Sequence, residues 1–181
     1  MLRNTLKSFG SITKWLHWLA FILVTAKFYL IWFHEGFPKG SPEKMLYMML
    51  HKSVGITILM LGILFVIWHI INVKPLSPKS QPHWQYIIAK IVHHALLTLL
   101  ILMPIVGYLL TCSYAKPVNF FGLFTIPCMI SKNEHLGNIL DFTHETLGYL
   151  ILVLVGIHIL AALYHHFIVK DNVLKRMLPF T

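Results

Sequence analysis

The stretch from Thr143 to His158 reads "THETLGYLILVLVGIH", an apolar run with a histidine near each end. Fourteen residues separate His144 from His158, and at about 100° per residue this interval brings both onto one helix face. Their separation along the helix axis is about 21 Å, against a hydrocarbon core of about 30 Å. Because ionisable side chains are costly in hydrocarbon, they usually face the bundle interior with a partner. The stretch therefore predicts a membrane helix that buries one imidazole toward each surface.

The composition of the whole chain agrees with a membrane protein. Of its 181 residues, 57% are hydrophobic and 12% are charged, with a mean hydropathy of +0.71. Soluble domains carry about 25% charged residues. Four apolar runs are long enough to cross a bilayer, at residues 14–33, 54–71, 89–112 and 143–168. We therefore predict an all-α, integral membrane four-helix bundle that occupies residues 1–181 as a single domain.

The positive charge of the chain is concentrated on one side of the predicted bundle. With four spans, both termini and the second loop share a side, which holds nine Lys and Arg residues against one acid, Asp171. The other side holds five basic and five acidic residues. Since Lys and Arg accumulate in cytoplasmic loops, both termini are predicted to be cytoplasmic. The net charge of +9 is thus a topology signal, and nucleic-acid binding is not predicted.

The loops and cysteines bear on the outer side. The segment "FFGLFTIP" after the third span is too short to cross a bilayer and is predicted to lie at the interface or to cap the bundle mouth. The proline-rich "NVKPLSPKSQPHW" is predicted to link the second and third helices. Cys112 and Cys128 both fall on the predicted outer side, where a disulfide is permitted, although two unpaired thiols are favoured. No "CxxCH" motif is present, so covalent attachment of a c-type haem is excluded.

Two further histidines match the pair of the fourth span in depth. His17 in "KWLHWL" lies near the cytoplasmic start of the first span, and His51 in "LHKSVG" lies at the outer start of the second. Imidazole is a ligand of haem iron, so we predict one haem between His17 and His158 and another between His51 and His144. A lone histidine at a helix end is more often an interfacial residue bonded to water or a carbonyl. Small residues one turn after three of the histidines favour the haem interpretation, because they leave room for a ring edge: Gly55, Gly148 and Ala162.

Taken together, these residues resemble the bacterial cytochrome b561 family, which is related to the cytochrome b subunits of hydrogenases. The similarity covers nearly the whole chain, through "HW" at 17–18, "HKSVG" at 51–55, "MPIVGY" at 103–108 and "HETLGYLILVLVGIHILAALYHHFIVKDNVLKRMLP" from 144 onward. It implies a multi-pass protein of the bacterial inner membrane with two b-type haems on the same four histidines. It also implies electron exchange with the quinone pool, and one similar member is regarded as a superoxide:ubiquinone oxidoreductase.

The chain departs from the family pattern in the second span. Arginines are often found in the second half of that span, where this sequence reads "LFVIWHII" with Phe65 and His69. Lys27, in the outer half of the first span, is predicted either to pair with a propionate of the outer haem or to snorkel to the outer surface. Lys52, next to His51, is a candidate for attracting a small anion such as superoxide.

The remaining candidates concern electron acceptance. Iron held by two histidines has no open coordination position, so outer-sphere electron transfer is predicted, with no catalytic residue at the metal. The predicted acceptor is ubiquinone or a similar quinone near the cytoplasmic end, with His165 as proton and hydrogen-bond donor and with Lys170 and Asp171 as a proton relay. His93 is a candidate quinone or propionate contact. Three further histidines are predicted to lie in solvated loops: His34, His83 and His135.

Two functions of different classes follow from the sequence. The first is an enzyme that takes electrons from an outer-side donor, with superoxide as the leading candidate, and passes them to a quinone in the lipid. The second is an electron-transfer anchor subunit of a dehydrogenase or hydrogenase complex, whose outer loop docks an unidentified redox protein. A proton-coupled transporter is disfavoured, because four spans leave little room for a gated path.

Overall fold

Four long helices account for most of the chain in the computed structural model, which describes residues 1–76 and 82–179. Their bounds are α1 Ser11–Glu35, α2 Pro42–Ile71, α3 His83–Ser113 and α4 Glu134–Tyr164. A π-helical turn, His165–Val169, continues α4, and a 3-10 turn follows at Lys175–Met177. All four helices are long and apolar enough to cross a membrane. The predicted all-α four-helix membrane architecture is confirmed, while the cytoplasmic location of the termini stays a prediction. Residues 77–81 of the predicted linker, together with 180–181, lie outside the described residues.

The helices extend well beyond the predicted spans because polar caps precede the apolar runs. The Ser41 hydroxyl caps α2 by accepting a hydrogen bond from the Lys44 amide at 3.1 Å. The Asn133 side chain caps α4 in the same way, accepting from the Leu136 amide at 3.0 Å. As a result, His51 lies inside α2 and not at its start, which corrects the prediction.

The three histidines assigned to loops also lie in helices. His34 is only 8% exposed, near the end of α1, and its Nδ1 lies 2.9 Å from Glu35 Oε1. His83 opens α3 and His135 lies in the first turn of α4, and both are exposed. The predicted solvation therefore holds for His83 and His135 but is wrong for His34.

Helices that follow one another in the chain have the most extensive backbone contacts. Close backbone contacts join α1 to α2, α2 to α3, and α3 to α4. At the α2–α3 crossing, a Cβ on Gly62 would lie 3.1 Å from Ile101 Cγ1, so a small residue is needed for this approach. Close backbone contacts of that extent do not join α1 to α4 in the described part of the chain. Side chains therefore bridge the space between α4 and the first two helices.

A short β-hairpin, not predicted from the sequence, lies between α3 and α4. Its strands are β1 Val118–Phe120 and β2 Phe124–Ile126, paired antiparallel. The fully buried Ser53 of α2 holds it, because the Ser53 hydroxyl oxygen accepts a hydrogen bond from the Phe121 amide at 2.9 Å. The single proton of this hydroxyl is shared between Met49 O of α2 at 2.8 Å and Asn119 O of the hairpin at 3.2 Å. The "FFGLFTIP" segment is thus a folded hairpin that packs on α2.

Candidate functional site

The first histidine pair lies between α2 and α4. The ring centroids of His51 and His144 are 6.4 Å apart, with an angle of 73° between the ring planes. His51 Nδ1 lies 3.2 Å from the backbone carbonyl oxygen of Lys27. With the proton on Nδ1, His51 donates to that carbonyl, and its Nε2 keeps a lone pair for a ligand. The Lys27 carbonyl therefore fixes the orientation of one imidazole of the pair.

The second pair lies between α1 and α4. The ring centroids of His17 and His158 are 5.9 Å apart, with an angle of 55° between the planes. The structure thus brings together both pairs expected from the sequence.

The spacing of both pairs suits a metal bound between two imidazoles. A metal–nitrogen bond of about 2.0 Å on each side, plus about 1.1 Å from each nitrogen to its ring centre, requires centroids about 6 Å apart. Both observed separations, 5.9 and 6.4 Å, lie close to this value. In addition, Nδ1 of His17 and of His144 is buried without a hydrogen-bond partner among the described residues. The donor set and spacing therefore fit two bis-histidine haem sites.

A cavity of about 170 Å³ surrounds the His51–His144 pair. We refer to it as the outer cavity. Its charged lining consists of Lys27, Lys52 and Asp141. Lys27 points inward, because its Nζ lies 2.9 Å from the place that a Cβ on Gly55 would take. Gly55 therefore leaves room for the Lys27 ammonium group, and its role beside a porphyrin edge stays a prediction.

One glycine at the outer cavity was missed by the sequence analysis. A Cβ on Gly107 of α3 would lie 2.7 Å from His144 Cε1, so only glycine lets the imidazole sit this close to the helix. Gly107 lies in "MPIVGY", where together with Pro104 it predicts a kink in the third helix, and this pattern does not reveal the contact with His144. Two of the small residues named from the sequence lie on α4. A Cβ on Gly148 would lie 3.6 Å from Met103 Cε, and Ala162 is half-buried.

More histidines gather at the other end of the bundle. The His93 ring centroid lies 5.1 Å from that of His158, which is shorter than the distance for a shared metal. His93 is thus a close neighbour of the His17–His158 pair. His69 on α2 and His94 on α3 face each other with centroids 6.4 Å apart. His69, which occupies the part of the second span where arginine is often found in the family, therefore faces the imidazole of His94.

His165 is held by a carboxylate immediately after α4. Its Nδ1 lies 2.6 Å from Asp171 Oδ2, and the His165 residue is 8% exposed. The π-helical turn makes this contact possible: Lys170 adopts a left-handed conformation (φ 58°) that turns the chain back, and the Asp171 amide donates to the His165 carbonyl at 3.2 Å. Asp171, predicted from the sequence to relay protons from water, is a direct partner of the His165 ring.

Comparisons with known proteins agree with these features. A family model described as prokaryotic cytochrome b561 matches residues 8–180. "Cytochrome b561 homolog 2" of Escherichia coli is 34% identical, covering 97% of this chain and 93% of the relative. "Cytochrome b561 homolog 1" of the same organism is 29% identical over 94% of this chain and 97% of the relative. The "Probable superoxide oxidase CybB" of Yersinia pestis is 30% identical over 96% and 97%.

Proposed function

Because this chain belongs to the prokaryotic cytochrome b561 family and is a membrane cytochrome b electron carrier, we propose that it binds two haems b. One is held by His51 and His144, the other by His17 and His158. We propose that it transfers electrons from a donor on the outer side to a membrane quinone near the cytoplasmic end. The observation that carries this proposal is the presence of two histidine pairs, with centroid separations of 6.4 and 5.9 Å, at opposite ends of one helix.

The residues around each pair orient it and adjust its charge. The haem groups, when bound, supply one-electron redox chemistry. The Lys27 carbonyl fixes the tautomer and ring orientation of His51. The Lys27 ammonium, which faces the outer cavity, is placed to neutralise a carboxylate in that cavity. Two imidazoles on each iron would leave no coordination position for a substrate, so the donor would pass its electron without binding to the iron.

Superoxide is the donor that we favour. Lys27 and Lys52 both line the outer cavity and would draw a small anion toward the His51–His144 pair, against the single opposing carboxylate of Asp141. A relative that is 30% identical bears the description "Probable superoxide oxidase".

His165 is our candidate for contact with the quinone. Its Nδ1 is engaged by Asp171 at 2.6 Å, so Nε2 remains to donate to a quinone carbonyl or to accept a proton for transfer to it. The Asp171 carboxylate holds the imidazole ring in one orientation, so that Nε2 keeps a fixed direction for proton transfer. His93, the neighbour of His158, is a second candidate for a quinone or propionate contact.

The position of the protein in the cell is part of the proposal. We propose that residues 1–181 form one domain of the bacterial inner membrane with both termini in the cytoplasm. The excess of Lys and Arg on the side of the termini supports this orientation. The His17–His158 pair is then the inner site and the His51–His144 pair the outer one.

Haem stoichiometry in paired variants tests the proposal. The purified protein is expected to contain two haems b per chain, measured as haem absorbance against protein mass. His51→Ala and His144→Ala should each lose the same haem, whereas His17→Ala and His158→Ala should each lose the other, with distinct absorption spectra and potentials. A single haem per chain, or loss of the same spectral component in all four variants, would contradict the assignment.

A role as the anchor subunit of a larger redox complex is the second candidate. The hairpin and the segment after it expose large apolar side chains, with Leu123 77% and Met129 85% accessible. Such a surface suits a protein partner on the outer side. Purified protein that oxidises superoxide with added ubiquinone favours the enzyme. Inactivity of the pure chain, with activity restored by a co-purifying redox partner, favours the anchor.

A further inference from the structure

The two cysteines meet at the junction between α3 and the hairpin. Cys112 lies in the last turn of α3 with 0% exposure, and Cys128 follows β2. The Cys128 thiol lies 3.7 Å from the carbonyl oxygen of Lys116, four residues beyond Cys112, and the chain turns there because the Ala115 amide donates to Cys112 O at 2.8 Å. Two cysteines 16 positions apart in the sequence are therefore brought to the same junction.

Tyr108 holds the backbone on both sides of Cys128. Its hydroxyl donates to Pro127 O at 2.6 Å and accepts from the Met129 amide at 3.2 Å. Tyr108 and Cys112 are one helical turn apart and so share a face of α3. Cys128 is thus held opposite that face by hydrogen bonds that do not involve its own sulfur.

We propose that Cys112 and Cys128 form an intramolecular disulfide that fastens the hairpin to the end of α3. Both thiols are free in the structure, as expected from the sequence, and the disulfide is the form that we infer for the oxidised protein. It rests on the proposed orientation, because the outer side of the inner membrane is an oxidising compartment in which disulfides persist.

The bond forms by exchange with the disulfide of a thiol:disulfide oxidoreductase. The half-buried Cys128 thiol loses its proton to solvent and attacks one sulfur of that disulfide, which releases a thiolate of the oxidoreductase. Cys128 is then joined to the oxidoreductase by a mixed disulfide. Cys112 loses its proton and attacks the Cys128 sulfur, which releases the second thiolate of the oxidoreductase. Two S–H bonds are lost and one S–S bond is gained in this protein, while the oxidoreductase disulfide is reduced to two thiols.

The surroundings favour a lasting cross-link over a reversible redox couple. Desolvation, followed by the hydrogen bond with Cys112, raises the pKa of the Cys128 thiol to about 11. Reactive and regulatory cysteines instead have a lowered pKa that favours the thiolate. Once formed, the disulfide between Cys112 and Cys128 therefore has little tendency to exchange with other thiols.

The cross-link would control a wall of the outer cavity. Val118 of the hairpin and Tyr108 and Thr111 of α3 line that cavity. Closing a loop of about 15 residues restricts the open states of the chain by about a hundredfold. The disulfide therefore keeps the hairpin closed over the site where the donor would arrive.

Thiol labelling of the holoprotein tests the proposal. The protein is purified from bacterial membranes without reductant, denatured in the presence of a maleimide, and analysed by intact mass and peptide mapping. We expect no label on the unreduced chain, a linked peptide containing Cys112 and Cys128, and two labels after reduction. Cys112→Ser and Cys128→Ser should each show one label without reduction. Two labels on the unreduced wild-type chain would overturn the disulfide.

Two further measurements on the same preparation separate this inference from the proposed function. Haem content and quinone reduction are measured independently, so a fully labelled chain that still holds two haems overturns the disulfide alone. A linked chain without haem supports the disulfide and overturns the proposed function. Amide exchange across residues 118–126 should become about a hundredfold faster on reduction, and equal exchange in the two states would overturn the fastening role.

Discussion

Substitution of Gly107 by alanine is a sharp test of the outer histidine pair. The added Cβ would lie 2.7 Å from His144 Cε1, whereas carbon atoms in contact prefer about 3.5–4.0 Å. One of the two groups must therefore move by about 1 Å. Overpacking of this kind costs about 1–3 kcal/mol, and displacing a ligand from its supported orientation weakens metal binding by about 10- to 100-fold. We expect Gly107→Ala to weaken the outer haem by that factor and to leave the inner one in place.

Gly156→Ala on α4 is the matched control. A Cβ at Gly156 meets nothing within 4 Å, and both substitutions gain about 1 kcal/mol of helix propensity. The difference between the two variants therefore isolates the clash with His144. The assay is titration of haem into the purified apoprotein, followed by spectra and potentials of each component. If Gly107→Ala binds both haems as tightly as Gly156→Ala does, with unchanged spectra, the contact between Gly107 and the imidazole does not position a ligand.

The other predictions concern the two ends of the bundle. His165→Asn and Asp171→Asn should both retain two haems and slow quinone reduction, by about 10²- to 10⁴-fold for loss of a general acid. Substitution of the exposed His135 by asparagine is the control. An unchanged rate of quinone reduction in His165→Asn would show that His165 does not act as the proton donor. Ser53→Ala leaves the Phe121 amide without its 2.9 Å acceptor, so we expect local destabilisation of the hairpin by about 1–3 kcal/mol, measured by amide exchange over residues 118–126. Thr146→Ala, an exposed residue that bonds only within α4, should have little effect there, and equal exchange in the two variants would show that Ser53 does not anchor the hairpin.

Much of the architecture follows from periodicity alone. An interval of 14 residues within an apolar run is enough to place His144 and His158 on one face, and the opposite directions of α1 and α2 then supply one partner at each level. The observed contacts of His158 with His17 and of His144 with His51 agree with that reasoning. Helix ends were harder to predict, because the caps at Ser41 and Asn133 lie in polar sequence outside the apolar runs.

The features that were missed depend on contacts between distant parts of the chain. Gly107 lies in the local motif "MPIVGY", but that motif does not indicate which residue fills the space beside it, and this residue is His144 of another helix. The hairpin depends on Ser53, 65 positions before its first strand. Likewise, the His165–Asp171 contact needs the π-helical turn and the left-handed Lys170, which a periodicity of 3.6 does not reveal.

Helix α4 contributes one imidazole to each histidine pair, and this has a consequence for biogenesis. During synthesis α1, α2 and α3 emerge first, so His17 and His51 must enter the bilayer before either has its counterpart. Under the proposed assignment of the ligands, neither haem site is complete until the fourth helix arrives, and both are completed by the same insertion event. A ribosome stalled before this helix would leave behind a colourless fragment.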